Sequence, residues 1–172
     1  KQPVAPSALA AEGHVSLVRP IKAFEQPRAL TKEEIQDIIE AYRIGAENAK
    51  KAGFDGVEVH AAHGYLLDTF MRLESNQRQD QYGGSQENRM RFLLETLQAL
   101  SNEIGSEKVA VRVSPHVIEG FVDEDPEIVD ITLKAIEKMT PMNLAYVHFS
   151  ERISRYVEVP EEFRKQVREV YP

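Results

Sequence analysis

Gly56-Val57-Glu58-Val59-His60-Ala61-Ala62-His63-Gly64-Tyr65 is the stretch on which the architecture of this chain turns. Its first half is short and β-branched, the composition of a buried strand. Its second half becomes polar and aromatic around a glycine, as where a strand hands over to a loop. His60, His63 and Tyr65 fall within six residues at that handover. In parallel α/β barrels this is the carboxyl-terminal rim, where active sites form.

Upstream, Thr31 and Glu34 have capping-box spacing, and Ile35, Ile38, Ile39, Tyr42 and Ala46 recur on one helical face before Gly53 supplies a stop. Downstream, a polar stretch ends at Ser85, a helix cap, and Met90, Leu93, Leu94, Leu97, Leu100 and Ile104 follow at helical spacing up to Gly105. Val109 to Val113 predicts a second strand, closed by Ser114-Pro115. Pro126 then opens a helix with Val129, Leu133 and Ile136 on one face. Ala145 to Phe149 predicts a third strand, and Pro160 opens a last helix marked by Phe163, Val167 and Val170. Residues 31–172 thus read as a helix followed by three strand-helix units, which predicts a parallel sheet covered by helices, doubly wound or closed into a barrel. Residues 1–30, with Pro3, Pro6, Pro20 and Pro27, read as an irregular excursion or a hairpin around His14 to Val18.

At 172 residues, 42% hydrophobic and 28% charged, the chain falls in the single-domain range. The net charge of -7 argues against a nucleic-acid partner, which needs a concentrated positive face. The apolar runs are too short to cross a bilayer, and no basic-then-apolar leader opens the sequence, so no membrane partner is expected. Without cysteine, these residues offer no disulfide, thiolate metal site or thiol nucleophile, in keeping with a reducing cytoplasm. An eight-fold barrel needs about 250 residues, and three strands leave two open edges. With Lys1 in place of methionine and Tyr171-Pro172 straight after a helical pattern, the expectation is a polypeptide that continues in both directions, or one from which the missing parts are absent.

Each neutral imidazole can donate one hydrogen bond to a carbonyl or nitro oxygen, and a phenol can release a proton to carbon. The plainer alternative makes His60 a satisfied core histidine and packs Tyr65 under its loop. The His60-x-x-His63 spacing also admits a metal, with Glu58, Asp68 and His116 as candidates for a third ligand, though none has supporting spacing. Arg112, alternating with valines inside a strand, is unlike an ordinary surface ion-pair partner.

The run Ala52-Gly53-Phe54-Asp55-Gly56-Val57-Glu58-Val59-His60-Ala61-Ala62-His63-Gly64-Tyr65-Leu66-Leu67, followed by Ser75-Asn76-Gln77-Arg78-Gln79-Asp80-Gln81-Tyr82-Gly83-Gly84-Ser85 and Glu87-Asn88-Arg89, closely resembles the old yellow enzyme family. It is nearest to the N-ethylmaleimide reductase and ene-reductase branch. Val111-Arg112-Val113-Ser114-Pro115 and Tyr146-Val147-His148-Phe149-Ser150 resemble that family's next two strands. The resemblance implies a (β/α)8 TIM barrel holding FMN at its mouth, of which this chain supplies about the fourth to sixth strands and their helices. It implies NAD(P)H-dependent reduction of electron-poor alkenes such as α,β-unsaturated carbonyls and maleimides, with nitro compounds as a further class. By the same resemblance His60 and His63 bind the substrate's electron-withdrawing oxygen, Tyr65 is the catalytic proton donor, and Arg112 contacts the cofactor's pyrimidine edge. No metal is expected, and a homo-oligomer is left open. Arg78, Asp80, Tyr82, Asn88 and Arg89 read as residues that knit the loop to its helix. Met71-Arg72-Leu73-Glu74 departs from the family's usual Leu-Ser-Pro. The family's remaining strands, which hold most of the cofactor, have no counterpart here. The alternatives are therefore a non-catalytic barrel fragment unable to hold FMN and a metal-dependent barrel hydrolase.

Overall fold

A computed structural model describes residues 2–15, 18–115, 127–150 and 161–171, together with the backbone of 152–154 and 157–158. The proline-rich start contains four two-residue strands, β1 (Val4–Ala5), β2 (His14–Val15), β3 (Lys22–Ala23) and β4 (Arg28–Ala29). β2 and β3 form an antiparallel hairpin, and β1 runs parallel to β4.

α1 (Lys32–Lys51) begins where Thr31 accepts a hydrogen bond from Glu34 N–H and the Glu34 carboxylate accepts one from Thr31 N–H. That reciprocal pair satisfies two of the helix's otherwise orphan donors. The helix ends at Ala52, and Gly53 takes a φ of +88° that side chains rarely tolerate. Ile35, Ile39 and Ala46 are buried beneath it, with Ile38 and Tyr42 half-buried.

β5 (Val57–Ala61) follows, one residue later at each end than the pattern from Gly56 to His60. A short helix, α2 (Leu66–Met71), stands directly after the His60 to Tyr65 segment, where the sequence pattern shows no helix of its own. Six residues carry too little periodicity to be seen. α3 (Gln86–Ile104) is capped by the Ser85 hydroxyl, which accepts from Asn88 N–H. Phe92, Leu93 and Leu97 beneath it are fully buried, each contributing about 1.5–3 kcal/mol of hydrophobic stabilisation.

β6 (Val109–Val113) is followed by α4 (Ile128–Met139), and Pro126, expected to open this helix, lies outside the described residues. The buried stripe of α4 is broader than Val129, Leu133 and Ile136. Ile128, Ile131, Ala135 and Met139 enter the main core, while Val129 and Leu133 lean on the last helix. α4 is covered on two sides, so one helical face cannot describe it. β7 (Val147–Phe149) is shorter than the pattern from Ala145. A small antiparallel pair, β8 (Arg152–Ser154) with β9 (Val157–Glu158), comes before α5 (Glu161–Val170). The proline expected to open α5, Pro160, also lies outside the described residues.

β5, β6 and β7 form one parallel sheet in chain order, with Val59 beside Val111 and Val147, and His60 beside Arg112 and His148. Side chains alternate between the two faces of a strand. One face is therefore valine, packed with Ile35, Ile39, Leu93, Leu97 and Ile131 into the core. The other carries Glu58, His60, Arg112 and His148. A doubly wound sheet needs apolar residues on both faces, so the polar face matches the inside of a barrel whose helices lie outside. Among the described residues no helix is long and apolar enough to cross a membrane.

Gly56 and Gly45 should respond oppositely to alanine. A Cβ at Gly56 would meet Lys108 carbonyl oxygen at 2.6 Å, whereas one at Gly45, inside α1, meets nothing within 4 Å. Urea unfolding should show Gly56→Ala destabilised by about 1–3 kcal/mol and Gly45→Ala stabilised by about 0.5–1 kcal/mol.

Candidate active site

The loop after β5 is held in an unusual conformation. His63 and Gly64 both adopt left-handed backbone, with φ of 59° and 72°. Glycine does this freely, but histidine does so at a cost of about 1–2 kcal/mol. Hydrogen bonds from two different elements offset that cost. His63 N–H donates to Ser114 Oγ at 2.8 Å, and Gly64 N–H donates to Asp68 Oδ2 at 2.7 Å.

Asp68 is fully buried in α2 and accepts a second bond, 2.9 Å, from Arg72 Nη2. Burial pushes its carboxyl above the ordinary range, opposed by Arg72 and by Gly64 N–H. Arg72 belongs to the tetrad that departs from the family's usual Leu-Ser-Pro, and here it is the buried partner of the residue that pins the loop.

The turn gathers three rings. His60 and His63 have ring centroids 5.4 Å apart, and His60 and Tyr65 5.1 Å. Tyr65 stands at the N-cap of α2 with its side chain 64% exposed, so the phenol faces outward and is not packed under the loop. The alternative of a packed, structural tyrosine fails on that exposure. His60 is half-buried on the polar face of the sheet, beside rather than within the core.

Arg112 sits in register between His60 and His148. Its Nε is buried without a hydrogen-bond partner, and among the described residues no carboxylate pairs with the guanidinium. Glu58, on the same face, is bonded instead to His148 Nδ1 at 3.0 Å. An unpaired guanidinium in a half-buried setting is a good complement to an anionic group. His63 is held below the ordinary imidazole range of 6.5, first by burial and then by the positive charge of Arg112 and the neighbouring His60.

The structure thus brings together all four residues singled out by sequence, adds Ser114 and Ser150, and gives Asp68, weighed in the sequence only as a metal ligand, a part in holding the loop. Ser114, Ser150 and Asp68 have no signature of their own. The first two could have been found by strand parity, because each lies two residues beyond Arg112 or His148 on the same face. His63 Nε2 is 2.7 Å from Ser150 Oγ.

The metal alternative finds no support among the described residues, where no three histidines or carboxylates are grouped to hold an ion. Asp68 is engaged by Arg72, Glu58 by His148, and His116 lies outside the described residues. The loop after α2 is knitted over longer distances than expected. Arg78 bonds Asp80 and also reaches the carbonyls of Pro6 and Leu30, at 3.0 and 2.6 Å. The buried Tyr82 hydroxyl donates to Glu95 at 2.8 Å, and Arg89 reaches the Met71 carbonyl at 2.6 Å. Asn88 Nδ2 donates to the Gly83 carbonyl.

Parallel strands with helices on one face and two imidazoles, a phenol and a guanidinium towards the other define a segment of a β/α barrel with a polar cluster at the carboxyl-terminal end of its strands. The chain belongs to the NADH:flavin oxidoreductase / NADH oxidase family, whose model matches residues 1–171. It is similar to a probable flavin mononucleotide-dependent alkene reductase of Leishmania infantum, 49% identical over 130 residues, covering 72% of this chain and 36% of the relative. Among solved structures it is similar to morphinone reductase in complex with tetrahydroNAD, with a TM-score of 0.87 and 42% identity over 99% of this chain and 47% of that one. It is also similar to the old yellow enzyme homologue from Zymomonas mobilis, with a TM-score of 0.88 and 35% identity over 100% of this chain and 49% of that one. These similarities establish the fold as the corresponding portion of a TIM barrel. The chain spans less than half the length of these three relatives.

The depressed His63 value has a measurable consequence. Below 6.5 the unfolded chain takes up the proton on His63 before the folded chain does. His63 therefore contributes stability fully above 6.5, and that contribution is lost as pH falls toward the lower folded value. Urea midpoints followed against pH should rise through this window, and His63→Gln should flatten the rise.

Proposed function

We propose that the protein carrying this chain is an FMN-dependent oxidoreductase that reduces electron-poor alkenes with NAD(P)H, α,β-unsaturated carbonyls and maleimides foremost and nitro compounds as a further class. The observation that carries the reading is the triad of His60, His63 and Tyr65, with ring centroids 5.4 Å apart for His60 and His63 and 5.1 Å for His60 and Tyr65, beside Arg112, whose Nε has no partner among the described residues.

Bound FMN, reduced by NAD(P)H, supplies the hydride for the reaction. Arg112 is the residue of this chain that would hold it. A permanently charged guanidinium whose Nε has no partner among the described residues fits an electron-rich, anionic ring edge.

His60 and His63 each donate a hydrogen bond to the oxygen of a conjugated carbonyl or nitro group. Those donors draw electron density away from the β-carbon and so make it a better hydride acceptor. Burial, then Arg112 and His60, lower the proton affinity of His63, which favours the neutral donor at physiological pH. Tyr65, on the same side as His60, delivers a proton to the adjacent carbon. Its outward-facing hydroxyl meets a substrate that enters from the rim. Ser114 and Asp68 hold the turn that carries both His63 and Tyr65, acting on the reaction only through position.

The partner in this reading is a small molecule. The absence of cysteine fits a cytoplasmic setting, and a homo-oligomer is compatible with the exposed apolar residues Phe54 and Ile44.

Stopped-flow measurement on the full-length protein tests the assignment by separating the two half-reactions. Tyr65→Phe should slow alkene reduction by roughly 10²–10⁴-fold and leave cofactor reduction by NAD(P)H near the parent rate. Arg112→Met should weaken FMN retention on gel filtration. Full-length protein that stays colourless after reconstitution with FMN would overturn the reading in favour of a non-catalytic barrel.

A further inference from the structure

We propose that Ser150 is a positioning residue that sets the tautomer of His63, so that Nδ1 carries the proton presented to a substrate oxygen. The inference rests on the reading of His63 as a substrate-polarising imidazole and deepens it.

A neutral imidazole has one N–H and one bare nitrogen, and only the N–H can donate to a carbonyl oxygen. Which nitrogen carries the proton is decided by the partner of the other. His63 Nε2 lies 2.7 Å from Ser150 Oγ. Nδ1 has no hydrogen-bond partner among the described residues.

The contact can be made in two senses. If Nε2–H donates to the serine oxygen, Nδ1 is a bare acceptor and repels a substrate carbonyl. If the serine O–H donates to Nε2, the proton of the ring must sit on Nδ1. The surroundings of Ser150 choose between them. The residue is buried, its backbone N–H is already donated to Val113 carbonyl oxygen, and His63 Nε2 is the one recorded partner of its hydroxyl among the described residues. A buried hydroxyl hydrogen left without an acceptor is costly, whereas a spare lone pair on oxygen is tolerated. The hydroxyl therefore donates, and Nε2 accepts.

Two further features support this sense. The ring is neutral, because burial, Arg112 and His60 disfavour a second proton. The backbone N–H of His63 is fixed on Ser114 Oγ at 2.8 Å, so the ring cannot swing away with its turn. Serines following two adjacent strands thus grip one histidine, Ser114 by its main chain and Ser150 by its ring.

Histidine labelled with the heavy nitrogen isotope, incorporated into the full-length protein, reports the tautomer directly through the two-bond nitrogen–proton correlation pattern. His63 is identified by the loss of its signals in His63→Asn. The expected parent pattern at neutral pH is protonated Nδ1 and bare Nε2. Ser150→Ala should shift the population roughly tenfold toward protonated Nε2, the equivalent of one net hydrogen bond, and Ser150→Thr should restore the parent pattern. In the same variants, kcat/KM for N-ethylmaleimide should fall with Ser150→Ala and recover with Ser150→Thr. Protonated Nε2 in the parent, or a pattern that Ser150→Ala does not move, would overturn the tautomer assignment and leave the proposed reaction standing. A parent pattern as expected, with N-ethylmaleimide turnover indifferent to His63→Leu, which has no donor, would overturn the substrate role instead.

Discussion

The in-register pairing of β5, β6 and β7 is the constraint from which the rest follows. Because side chains alternate along each strand, one register puts every valine on one face and puts His60, Arg112 and His148 in a row on the other. A slip of one residue in any strand would send a charge into the core and a valine into the site. Burial of the valine face against α1, α3 and α4 therefore stabilises the fold and aligns the chemistry at once. The core specifies the site without touching it.

The turn that follows β5 depends on that alignment. Left-handed backbone at His63 is unfavourable in isolation, and it persists because Ser114 and Asp68 accept its successive N–H groups. Ser114 is in reach only because β6 lies beside β5. Asp68 is in reach only because α2 starts within one turn of Gly64, and Asp68 in turn is steadied by Arg72. A buried ion pair is weak support for global stability, since desolvation offsets most of its attraction. Its effect here is local: it keeps a carboxylate oxygen aimed at one backbone N–H.

Charge in the site is arranged by sharing partners unevenly. Glu58 lies on the same face as Arg112 yet bonds His148, and among the described residues the guanidinium is left without a carboxylate. Burial first, and then the positive charge of Arg112, lower the proton affinity of His63. The same charge suits an anionic ring edge.

The sequence by itself determined the local elements, because their signals are local. Capping spacing at Thr31 and Glu34, the cap at Ser85 and the helical periodicity of α3 are written within a turn or two of chain. So are the β-branched strands around His60 and Arg112, and the concentration of His60, His63 and Tyr65 at a strand end. Resemblance to a known family carried these to roles that periodicity could not supply. Only the tertiary structure decided that both faces of the sheet differ in kind, that α4 is covered on two sides, and that Ser114, Ser150 and Asp68 converge on one loop. Those partners are separated from His63 by as many as 87 residues. The reason is physical: a hydrogen bond between distant residues exists only once strand pairing has brought them together, and no spacing along the chain records it.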